Sequence, residues 1–112
     1  MAIRLTKPWH DLNEAIPLLR GNLGVFELAD KDGQVLYIGF AGGKSLYGLK
    51  GEVRDLSARI TSATQVRHEV NTAYQSRFRE LLMVHVADYG ELPPYNIELN
   101  HQPGRLGRIS PA

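Results

Sequence analysis

The amino-acid sequence predicts an α+β domain, a small three-stranded antiparallel sheet flanked by helices. Three observations predict it. Two apolar runs, residues 25–28 and 35–38, flank a segment holding Asp32-Gly33, a dipeptide that tolerates the backbone angles of a hairpin. Two later segments repeat apolar residues at helical spacing, and between them residues 65–70 form a third β-rich run. The resulting order of helix, strand, strand, helix, strand, helix sets helices against an antiparallel sheet. A doubly wound parallel fold needs repeated crossover units, for which 112 residues leave little room.

Each element has a local reason. Asp11 and Glu14 stand at capping-box spacing, with Trp9 and His10 just outside, so a helical preface is expected over 9–20. Pro17, Gly21 and Gly24 limit it to about two turns. In the hairpin, pairing Leu28 with Val35 would set Phe26 opposite Tyr37, with the two rings side by side. A glycine-rich loop, 41–45, leads into a helix with the stripe Leu49, Val53, Leu56 and Ile60, flanked by Lys50, Arg54 and Ser57. A second long helix, about 72–87, carries Tyr74, Phe78, Leu81, Leu82 and His85, with Arg77, Glu80 and Val84 on the adjoining face. Tyr89-Gly90 ends it, and the paired prolines predict an extended segment over 92–97. Residues 103–112 read as a loose tail. The chain, 1–112, is expected to be one domain with its core at about 23–97.

Composition removes several chemistries. With no cysteine there is no disulfide framework, no thiolate zinc site and no cysteine nucleophile. No signal-like or membrane-spanning apolar stretch stands out, so the expected setting is the reducing cytoplasm, with no membrane partner. The four histidines, His10, His68, His85 and His101, lack metal-ligand spacing, and His85 reads as a core-edge residue. Net charge is +1, but it divides along the chain as −1 over 1–43, +3 over 44–80 and −1 over 81–112. Arg54, Arg59, Arg67, Arg77 and Arg79 supply most of the basic middle. An excess of +3 is well below a strongly basic nucleic-acid footprint and also fits a solvated surface of ordinary ion pairs.

Residues 39–45, ending Gly43-Lys44-Ser45 between a strand and a helix, invite comparison with a phosphate-binding P-loop. The spacing fails, because the first glycine of that motif would fall on Ile38. A sequence-independent contact to phosphate at the helix start is the most this loop predicts.

A different set carries more information. Gly24-Val25-Phe26, an eleven-residue step to Tyr37-Ile38-Gly39, a following helix with basic residues, Glu80 in a later helix and Pro94-Tyr95-Asn96-Ile97 together resemble the GIY-YIG endonuclease superfamily over residues 23–97. The resemblance implies a phosphodiesterase using one Mg²⁺ or Mn²⁺ ion on DNA. In it Tyr37 lies near the attacking water, Lys50 or Arg54 steadies phosphate charge, Glu80 holds the metal and Asn96 matches the closing asparagine. Arg54 is preferred over Lys50 for its fork geometry. The chemistry suits these types: a carboxylate binds a hard cation, which polarises a phosphoryl oxygen, and a guanidinium offsets transition-state charge.

One departure is plain. Phe26 stands where the family has a tyrosine and can neither pass a proton nor bind water. Tyr37 then acts alone, or Tyr47, His68 or Tyr74 compensates, or the activity is weakened or lost. Two functions follow: a metal-dependent endonuclease, or a non-catalytic module that contacts nucleic acid through Lys44, Lys50, Arg54 and Arg77 or binds a protein partner or a second copy of itself. Each residue also has a purely structural reading. Tyr37 can be a sheet aromatic, Glu80 a partner of Arg77, Asn96 a turn cap, and Lys50 and Arg54 solvated helix charges.

Overall fold

The computed structural model describes residues 4–100, so the expected tail and His101 lie outside the described residues. The sheet has four strands rather than the three expected. The extra one, β1 (His10–Asp11), is two residues long and pairs antiparallel with a later strand, His10 opposite Val66 and Asp11 opposite Gln65. Two residues display no alternation, which is why the pattern does not reveal it. Asp11 also caps α1 (Leu12–Ala15), its carboxylate accepting the Glu14 N–H at 3.0 Å, and a 3₁₀ turn over Ile16–Leu18 completes the predicted short helix.

The remaining elements are β2 (Gly24–Ala29), β3 (Val35–Ala41), α2 (Gly48–Arg59), β4 (Gln65–Val70), α3 (Tyr74–Tyr89) and α4 (Pro94–Asn100). The strand order is β1-β4-β2-β3 and every neighbouring pair is antiparallel. All six residues of the central strand β2 are buried, so both faces of the sheet are covered.

The hairpin register differs from the expected one. Leu28 lies opposite Tyr37 and Phe26 opposite Gly39, a shift of two residues: pairing starts one residue later, with Ala29 opposite Val35, and a bulge between Leu28 and Ala29 adds the second. Phe26 and Tyr37 still touch, now diagonally, with ring centroids 6.1 Å apart. Alternation along these strands sorts side chains onto two faces. Phe26, Leu28, Tyr37 and Val66 join α1 and the buried stripe Leu49, Val53, Leu56 and Ile60 of α2 in one core. Val25 and Ile38 form the other with Leu5 and with Leu81, Phe78 and Tyr74 of α3.

The extended segment expected over 92–97 is helical from Pro94 onward. The first helical position is the one place where a proline's missing N–H and fixed φ cost a helix nothing. Asn96 and Ile97 accordingly donate backbone N–H groups to the Pro93 carbonyl, at 3.1 and 3.3 Å.

Candidate functional site

Tyr37 sits on β3 beside Phe26 on the α2 face of the sheet, half-buried with Tyr95 against the larger core. What fixes it there is backbone room at Gly39. A Cβ on Gly39 would come within 2.5 Å of Phe26 Cζ and 2.7 Å of Tyr37 Cε2, so the glycine lets both rings fold over the strand. Asn96 fixes the strand from outside. Its buried side-chain amide accepts the Ile38 N–H and donates to the Ile38 carbonyl, both at 2.8 Å. Asn96 therefore positions the backbone between Tyr37 and Gly39, and both ends of its amide are spent on doing so.

Lys50 and Arg54 project from α2, which packs on this same face of the sheet. Gly48, at the start of α2, adopts φ 61°, and a Cβ there would lie 2.3 Å from the Gly21 carbonyl carbon. That contact docks the 20–22 segment on the helix start, where the Arg20 carbonyl accepts the Lys50 N–H at 3.1 Å and the Asn22 carbonyl accepts the Leu49 N–H at 2.9 Å. The Arg54 guanidinium lies 5.5 Å above the ring of Tyr47 and 3.8 Å from Asp55. Arg20 is exposed, Tyr47 is 59% exposed and Leu46 is 84% exposed, so cations, one aromatic face and one aliphatic side chain share this end of the molecule.

Glu80 is elsewhere. Arg77 joins it in an ion pair, and the same guanidinium bonds Glu69 and the Arg4 carbonyl. Glu69 pairs in register with Val25, on the face opposite Tyr37, so α3 carries Glu80 on the far side of the sheet from the tyrosine. Arg77 is only 10% exposed at its side chain and serves as an internal hub rather than a phosphate contact. Burial disfavours the charge of Glu69, but hydrogen bonds from Asn71 and Arg77 outweigh it and hold its carboxyl below the usual carboxylate range. Arg77 occupies Oε1 of Glu80, so a divalent ion there would have the second carboxylate oxygen and water as donors, and among the described residues no three His, Asp or Glu side chains gather to hold a metal.

The other expected contributors are dispersed. Gly42 N–H donates to Ser45 Oγ and Gly43 N–H to the Tyr74 hydroxyl, at 3.0 and 3.2 Å, while Ser45 Oγ donates to Glu52 at 2.8 Å. Two amides of the glycine loop are thus used inside the fold, and Lys44 is exposed beside them. Of the three groups that could stand in for a tyrosine at position 26, Tyr47 stands at the start of α2, Tyr74 packs on the other face, and His68 lies directly opposite Phe26 on β4. Burial, with Lys7 and His10 nearby, lowers its pKa and favours the neutral ring.

A family model described as a domain of unknown function, DUF7508, matches residues 3–88, about three quarters of the chain. The chain belongs to this family. No curated protein matches it. The matched stretch of the DUF7508 domain includes Tyr37, Lys50, Arg54 and Glu80. No helix among its described residues is long and apolar enough to cross a membrane.

The DUF7508 domain also holds a polar group that sequence reasoning passed over. Glu27, at the middle of the central strand, is 5% exposed and paired with Arg67, whose Nε and Nη2 both reach its Oε1, at 2.8 and 2.7 Å. Arg67 lies 4.2 Å from the ring centre of Trp9. The signal was present as one carboxylate inside an otherwise apolar run, a position that demands a partner.

Proposed function

We propose that this DUF7508 domain is a GIY-YIG-like nucleic-acid-binding module that does not cut its ligand. It grips the phosphate backbone with Arg20, Lys50 and Arg54 and stacks a base on Tyr47. The observation that carries the reading is the Arg54 guanidinium 5.5 Å from the centre of the exposed Tyr47 ring, next to Lys50 and to the 20–22 segment docked on α2. Cations around an exposed ring suit a strand whose bases are already unstacked, because every base offers a π-face and every phosphate a charge. Cleavage is disfavoured by three features together: Phe26 lacks a hydroxyl, Glu80 is committed to Arg77, and Tyr37 and Glu80 face opposite sides of the sheet. The endonuclease reading, with Mg²⁺ or Mn²⁺ on Glu80 and DNA as substrate, keeps one supporting feature, the pinning of the Tyr37 strand by Asn96.

The test is anisotropy of labelled single-stranded and duplex DNA across a salt series, with cleavage followed in Mg²⁺, Mn²⁺ or EDTA. Three contacts predict a slope of log affinity on log salt of about −2 for a single strand. Lys50→Ala and Arg54→Ala should each flatten it by about one phosphate, and Tyr47→Ala should weaken single-strand binding about tenfold or more. Binding that ignores salt, or no binding at all, would replace nucleic acid with a protein partner. Metal-dependent cutting that vanishes in Glu80→Ala would restore the endonuclease.

A further inference from the structure

On the side of the sheet away from Tyr37, a cleft of about 320 Å³ opens between α3 and the N-terminal segment, bordered by Arg4, Glu27, Arg67, Leu81, His85 and Tyr89. Its volume is at the small end of small-molecule sites.

The polar groups around it are unevenly satisfied. Arg67 directs its Nε and Nη2 to Glu27 Oε1, and among the described residues Oε2 receives no hydrogen bond. A nearly fully buried carboxylate oxygen without a donor is rare in folded proteins and calls for an occupant. Burial pushes the Glu27 pKa up, and the Arg67 guanidinium opposes that only in part. His85 adds a second acceptor. Its Nδ1 lies 3.0 Å from the Glu91 carbonyl, which can only accept, so Nδ1 carries a hydrogen and Nε2 is the ring nitrogen left to accept. The two nearby arginines are directed elsewhere, Arg4 forking onto Asp88 and Arg67 bonding Oε1 rather than Oε2. Two acceptors without donors suit a ligand that brings N–H groups. The rings of His85 and Tyr89, with centroids 4.6 Å apart, give the cleft an aromatic border suited to a flat ligand.

We propose that this cleft binds a small planar amidinium or guanidinium group, which donates to Glu27 Oε2 and His85 Nε2 and lies against the His85 and Tyr89 rings. The site is independent of the α2 surface, so it stands or falls separately from nucleic-acid binding.

The chain's single tryptophan, Trp9, contacts Arg67 and reports on the cleft. The experiment titrates the full chain with benzamidine, with neutral benzamide and anionic benzoate as shape-matched controls, and reads tryptophan fluorescence. Benzamidine should give a saturable change, benzamide should bind at least about tenfold more weakly, and benzoate should give none. Glu27→Gln should weaken benzamidine by about tenfold or more. Because that change also removes the partner of Arg67, His85→Phe provides a second variant that keeps a ring beside Tyr89 and the Arg67–Glu27 pair, and loses the Nε2 acceptor together with the Nδ1 bond to the Glu91 carbonyl, with a similar loss expected. Methylguanidine and a blocked Gly-Arg-Gly peptide separate the two sources of the group: tighter binding of the first means a free metabolite-like cation, and of the second an arginine side chain of a protein. No saturable change, equal binding of benzamidine and benzamide, or benzamidine binding that survives His85→Phe would each overturn the proposal.

Discussion

Phe26, Tyr37 and Gly39 form one steric unit in which the absence of a Cβ matters as much as the rings. Gly39→Ala should destabilise the protein by about 1–3 kcal/mol, the usual cost of forcing an extra carbon into a filled core. The cost should shrink in a Phe26→Leu background, since the nearest atom to the new Cβ is Phe26 Cζ. Urea unfolding of the two single variants and the double variant measures this coupling. Equal costs in both backgrounds would show that backbone strain, not the ring, sets the penalty. Tyr37-Ile38-Gly39 is legible in the sequence as a motif, but the reason for its glycine is legible only in three dimensions. Glu27 was equally present in the sequence, yet its importance depends on burial from both faces, which a run of four residues does not disclose.

Elements with many periods were the readable ones. The α2 stripe Leu49, Val53, Leu56 and Ile60 is buried as predicted, and β4 occupies the expected residues, because periodicity accumulates over several turns or pleats. Elements without that accumulation were missed: β1 has two residues, and α4 opens on a proline that reads equally well as a break. The hairpin register differs by two residues, one from where pairing begins at Ala29 and Val35 and one from a bulge that leaves no trace in an alternating pattern. Of the expected site, the basic flank of α2 was readable from helical spacing. The separation of Tyr37 from Glu80 was not, since it depends on which face of the sheet each helix covers. The short α4 is held to β3 by Asn96, and this attachment can be measured. Asn96→Leu leaves the Ile38 N–H and carbonyl buried without partners, and a loss of about 2–4 kcal/mol is expected from two such groups. Chemical denaturation checks the size, and amide exchange at Ile38 checks the cause.

Across the whole molecule, the Arg77 hub joins β4, α3 and the N-terminal segment, and its stability is tied to pH through Glu69. The fold lowers the Glu69 pKa, so its contribution is complete above the ordinary carboxylate range and drains away as pH falls through its lowered value. Glu27 has the opposite sign: its raised pKa makes the fold relatively more favourable as acid protonates it. The two oppose each other, and Glu69→Gln should therefore lower stability at neutral pH and flatten the acid side of the stability curve, as thermal unfolding across a pH series would register. An unchanged acid side would assign the pH dependence to other carboxylates. The perimeter of the sheet has a consequence of its own. One border strand, β1, is two residues long, and the other, β3, has the Ile38 backbone groups covered by Asn96. The same asparagine that orders the Tyr37 strand therefore also takes the mid-strand N–H and carbonyl of an edge strand out of reach of a second chain's backbone.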